Sequence, residues 1–159
     1  DHCLGDFFRE ARKRPWYDST LFVLVADHSH NSYRNWHPHS REYHRIPMLF
    51  LGNVIRPEFR GTSWAKMGNQ HDLAATILAQ LGISYSGFPY SKDLFHPDSK
   101  EFAYFTTEDG VGWVRPGFQF TYEKTGNFFY PWSSQNLPDS VKMEGFAYLQ
   151  TVFSDYMNR

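Results

Sequence analysis

Two short apolar runs set the strongest limit on what this chain can fold into. "TLFVLVA", residues 20–26, and "IPMLFLG", residues 46–52, are shorter than ordinary helices and apolar on both faces. A strand of that kind needs cover on both sides, which fits a central strand of a parallel sheet with helices packed against it. Pro47 is compatible with the second run because it stands at the strand's start, where no ladder donor is needed.

Helical periodicity flanks these runs and predicts an α/β fold. Residues 3–13, "CLGDFFREARK", put Cys3, Leu4, Phe7, Phe8 and Ala11 on one face, with cations near the end and Pro15 as a stop. "HDLAATILAQLG" sets Leu73, Ile77, Leu78 and Leu81 at helical spacing and closes on Gly82, a left-handed cap. From Glu101 to Tyr130, short aromatic runs are broken by Asp109-Gly110, Pro116-Gly117 and Gly126-Asn127, which predicts a small antiparallel meander. Pro138, Asp139 and Ser140 then open a terminal helix with Phe146, Leu149, Val152, Phe153 and Tyr156 on one face. The expectation is a single domain of 159 residues, with an α/β part over 1–100 and the meander and terminal helix over 101–159.

Charge narrows the partners. With 16 basic and 17 acidic residues the net charge is −1, so no electrostatic footprint for nucleic acid exists and any anion specificity is local. Cys3, the only cysteine, excludes an internal disulfide framework. The opening Asp1-His2 has neither Met nor the character of a signal peptide, and it reads as the start of a processed or excised piece.

The connection between the two apolar runs carries the chemistry. Residues 27–45 show no helical pattern, yet hold five of the eight histidines, and long irregular connections in compact domains are usually functional. In open α/β sheets ligands bind beyond the carboxyl ends of strands, which is where Asp27 and His28 fall. A carboxylate and an imidazole are ordinary ligands for Zn²⁺ or Mn²⁺, and such a metal can hold the oxygens of a phosphate or sulfate ester. Neighbouring side chains of an extended strand point to opposite faces, so Asp27 and His28 share a metal only if the strand ends there. The polar "SHNSYRN" favours that ending through Ser and Asn turns; were the strand to continue, His28 and His30 would share a face instead. By residue type alone the loop also fits a solvated surface, and His37 and His39 fit substrate contacts or exposed loop residues equally well.

"PWYDSTLFVLVADHSH", "HRIPMLFLG" and "QHDLAATILAQLGI" occur in an order and spacing that resembles the carboxyl-terminal half of the sulfatase and alkaline phosphatase superfamily. The resemblance is greatest to the lipoteichoic acid synthase and phosphoglycerol transferase type, and "DHCLGDFF" and "FAYFTTEDGVGW" extend it to about Tyr130. It implies a metal-dependent α/β fold, in extracytoplasmic and often membrane-tethered enzymes that cleave or transfer sulfate or phosphate esters. It implies further that Asp27 and His28 match the late metal-binding pair, with His30 supporting them from behind. The metal would be Mn²⁺ or Zn²⁺, or Mg²⁺ or Ca²⁺ according to subgroup. His37 or His39 would reach the substrate, His44 and Arg45 would face its anion, and Asp72 matches a structural helix position. The resemblance places the nucleophile and an early metal-binding carboxylate in an amino-terminal half that this chain lacks. Cys3 lies in the wrong block to be that nucleophile, and Ser29 merely follows the metal pair. The isolated chain is therefore expected to be inactive. The competing expectation is a non-catalytic carbohydrate- or envelope-binding module, with Trp113, Tyr122 and Trp132 as stacking surfaces.

Overall fold

The computed structural model describes residues 1–30 and 35–158. The turn expected from Asn31 and Ser32 lies outside the described residues. The chain forms two compact units, Asp1–Ser29 with Ile46–Trp64, and His30–Arg45 with Ala65–Arg159.

The first unit holds helix α1 (His2–Ala11) and strands β1 (Phe22–Val25) and β2 (Met48–Leu51). The strands pair antiparallel, Phe22 opposite Leu51 and Val25 opposite Met48, which corrects the parallel arrangement expected from the sequence. Two-sided apolarity reports that both faces seek cover, and it carries no information about strand direction. β1 is half-buried along its length, whereas β2 alternates, with Leu49 51% exposed and Leu51 38% exposed. Phe22 is the hub of the unit: the rings of Phe8, Tyr17 and Phe7 lie 5.1, 5.5 and 6.0 Å from it. Edge-on and tilted contacts of this kind add to simple area burial. Of the α1 stripe, Ala11 is buried while Leu4 and Phe7 remain exposed.

The second unit holds the short helix α2 (Arg41–His44), α3 (Asp72–Gln80), strands β3 (Ala103–Thr106), β4 (Gly110–Arg115), β5 (Phe118–Glu123) and β6 (Phe128–Phe129), and helix α4 (Asp139–Met157). The four strands form the expected antiparallel meander in sequence order. Gly117 and Asn127 take the left-handed conformations that its turns require. Trp113 on β4 faces Phe120 on β5 across the ladder, and with Val111 and Val141 of α4 they make the core. Trp113 is therefore interior, only 2% exposed, and the meander does not offer it as a stacking surface. Gly145 brings α4 close to the sheet: a Cβ there would stand 2.7 Å from Phe120 Cζ and 3.0 Å from Trp113 Cβ. Phe146 and Leu149 pack on that core as their spacing predicts, but Phe153 and Tyr156, on the same expected face, are exposed.

α3 ends as its sequence predicts, with Gly82 at φ +67 and the Ile83 amide donating to the Leu78 carbonyl at 2.9 Å. Its buried residues are Asp72, Ala75 and Thr76 rather than the apolar stripe, of which Leu81 is exposed. Among the described residues no helix is long and apolar enough to cross a membrane.

Candidate functional site

β1 stops at Val25, and the chain bends at Asp27 and His28. That break removes the alternation that would have sent the two side chains apart. Asp27 Oδ2 and His28 Nε2 lie 3.5 Å apart, on side chains that are 87% and 77% exposed. The other polar atom of each group is already used. The His28 amide donates to Asp27 Oδ1 at 2.9 Å, and His28 Nδ1 donates to the Ser29 carbonyl at 2.7 Å. A carbonyl only accepts, so Nδ1 carries the proton and the lone pair of neutral His28 sits on Nε2, the arrangement in which histidine ligates a metal. Two ligands of one tetrahedral zinc, each about 2.0–2.1 Å from it, stand about 3.3 Å apart, so the separation of Oδ2 and Nε2 fits a shared divalent cation. Among the described residues no three His, Cys, Asp or Glu side chains gather closely enough to hold a metal, so Asp27 and His28 stand as a pair.

The other candidates belong to the second unit. His30 is exposed, and so is Arg45, just past the end of α2. His37, Pro38 and His39 form a turn tied down at several atoms. The His37 carbonyl accepts from the Ser40 amide and hydroxyl, both at 2.8 Å, and His44 Nε2 donates to the Pro38 carbonyl at 2.8 Å. The Thr121 hydroxyl donates to the His39 carbonyl at 2.9 Å, and the His39 amide donates to His37 Nδ1 at 3.2 Å. Ser40 is buried and also caps α2, which carries His44.

His44 lies flat on Phe105, 3.9 Å between ring centres. Phe105 in turn crosses the ladder from Gly112, where a Cβ would fall among its ring atoms. A glycine on β4 thus lets one ring lie flat and support another. Burial holds the His44 imidazole below its usual range; the Pro38 carbonyl works against that shift and His39 with it.

His37 and His39 also meet aromatic rings the sequence does not connect to them. Tyr130 stacks on His39 at 4.8 Å and on Trp132 at 4.7 Å, and His37 leans on Trp132 at 4.8 Å. Thr121 on β5 and Tyr130 and Trp132 just after β6 form this support. The contact from Thr121 spans 82 positions, and no local pattern marks a pairing of that range.

Asp72 is wholly buried and paired with Lys92 at 2.6 Å, in keeping with a structural role.

The sequence profile of the family named Sulfatase matches residues 1–83, more than half of the chain. The chain belongs to the sulfatase family. The matched segment carries Asp27, His28 and the whole histidine-bearing turn of this sulfatase-family chain. A crystal structure of a protein in the alkaline phosphatase superfamily from Vibrio parahaemolyticus superposes with a TM-score of 0.76 at 21% identity, over 98% of this chain and 39% of that one. The sulfatase-family chain thus has the α/β fold of that superfamily and spans 39% of the length of this structural relative.

Proposed function

We propose that this chain is the carboxyl-terminal part of a metal-dependent enzyme that cleaves or transfers sulfate or phosphate esters. The family match and the shared fold support the class. The arrangement of Asp27 and His28 carries the rest, because it leaves one oxygen and one imidazole nitrogen 3.5 Å apart with their companion atoms already bonded. In this reading Asp27 contributes a charged oxygen ligand and His28 the neutral Nε2. A divalent cation, Mn²⁺ or Zn²⁺ before Mg²⁺ or Ca²⁺, supplies Lewis acidity toward an ester oxygen when bound. His37, on its anchored turn, donates a hydrogen bond to a non-bridging oxygen of the ester, with His39 beside it. His44 supports the turn, Arg45 adds positive charge, and His30 is assigned the role of a support to the ligand pair. The attacking hydroxyl or thiol and the remaining ligands come from other parts of the parent protein.

The finer reading is a phosphoglycerol transferase of the lipoteichoic acid synthase type, working outside the cytoplasm and tethered to the membrane by the parent. It rests on the resemblance of "DHCLGDFF" and "FAYFTTEDGVGW" to that group.

Assays of the parent protein on p-nitrophenyl sulfate, p-nitrophenyl phosphate and a glycerophospholipid test the reading. Metal-dependent turnover of at least one, lost in Asp27→Ala, is expected. The 159-residue chain alone is expected to turn over none, because two ligands are fewer than the three protein ligands typical of a catalytic zinc. Full turnover in Asp27→Ala, or turnover by the chain alone, would contradict it.

A further inference from the structure

We propose that Tyr130 and Trp132 are positioning residues that fix which nitrogen His37 offers to the ester. The inference rests on the reading of His37 as an ester contact. It adds the device that makes His37 a donor in one defined direction.

The direction follows from a chain of hydrogen bonds in which each step is forced. The Trp132 indole can only donate, and it does so to Thr121 Oγ1 at 3.1 Å. The Thr121 hydroxyl, buried, then has its one proton for the His39 carbonyl at 2.9 Å. That bond and the stack of His39 on Tyr130 hold residue His39, whose own amide donates to His37 Nδ1 at 3.2 Å. With Nδ1 occupied as an acceptor, neutral His37 carries its proton on Nε2. His37 is an exposed residue, so Nε2–H is a donor available to an anion.

A second observation concerns the neighbouring ring, 5.2 Å from that of His37. His39 Nδ1 is buried and has no hydrogen-bond partner among the described residues. Buried polar atoms are nearly always paired, so this nitrogen has room in its bonding for a water or a ligand atom. The stack also argues against a sugar platform, since Tyr130 already packs against both His39 and Trp132.

Two measurements test the proposal separately from the ester reading. In the 159-residue chain, long-range ¹H–¹⁵N correlation spectra should show His37 as the single Nε2–H tautomer. Tyr130→Leu should give a mixture, while Tyr130→Phe, which keeps the stack, should behave as the unsubstituted protein. If Tyr130→Leu does not fold, Thr121→Val removes the hydroxyl at similar volume and should produce the same mixture. In the parent enzyme, Tyr130→Leu should lower kcat/KM on the order of 10²-fold, the scale of a small misplacement of a reacting group. His37→Ala should then add little to Tyr130→Leu, because both remove one unit. An unchanged tautomer in Tyr130→Leu and Thr121→Val, or fully additive losses, would overturn the proposal. A tautomer that shifts in a parent without ester turnover would sink the ester reading and leave the positioning role standing.

Discussion

Asp72 has no exposed surface, and its carboxylate is held by the Lys92 ammonium at 2.6 Å, the Asn69 amide at 2.7 Å and the Lys92 amide at 3.0 Å. A buried charge persists only when paired and fully hydrogen-bonded, and these three donors meet that requirement. Nothing in "HDLAATILAQLG" signals it, because the partner stands twenty positions away. The neighbouring His71 is held below the usual imidazole range by burial, which outweighs the opposing pull of Asp72. His44 is lowered for the same first reason. In both cases the folded chain binds fewer protons than the unfolded chain just below pH ~6.5. Their contribution to stability is therefore complete above that value and is lost as pH falls from it toward the folded values. The melting temperature should drop between pH 7.5 and 5.5, and His44→Gln combined with His71→Gln should flatten the decline. A profile equally steep in the double variant would contradict the assignment. Asp27 and His28, by contrast, were legible as residues, since a polar pair at the end of an apolar run is a local feature.

Elements were legible where their signal is periodic and local. α1, α3, the meander with its turns, and α4 all occur where spacing and turn residues place them. The direction of β2 against β1 was not, because pairing direction is a property of two segments and the pattern of each reports only burial. Nor were the buried faces of the helices fully readable. α4 packs through Val141, Gly145, Phe146 and Leu149, while its later apolar residues Phe153 and Tyr156 are exposed. Gly145 matters most to that packing. Gly145→Ala should gain roughly 1 kcal/mol of helix propensity. Overpacking against Phe120 and Trp113 should cost about 1–3 kcal/mol, so a net loss on the order of 1 kcal/mol is expected in urea unfolding. A higher unfolding midpoint in Gly145→Ala would mean that the helix is not pressed against the sheet.

At the scale of the whole molecule, the chain corresponds to 39% of the Vibrio parahaemolyticus relative, and each unit exposes apolar surface. Leu49 and Leu51 line one exposed face of the first unit, and Phe153, Tyr156 and Met157 lie exposed on α4 in the second. The fold class was readable because several motifs recur in one order. The support behind the histidine turn was not, because Thr121, Tyr130 and Trp132 meet it only through tertiary structure. If Asp27 and His28 hold a divalent metal, elemental analysis of the dialysed parent protein will find it. Bound Mn²⁺ or Zn²⁺ is expected in the unsubstituted protein, with its loss in Asp27→Ala and in His28→Ala and its retention in His37→Ala. Equal metal in His28→Ala and the unsubstituted protein, with both folded, would contradict it.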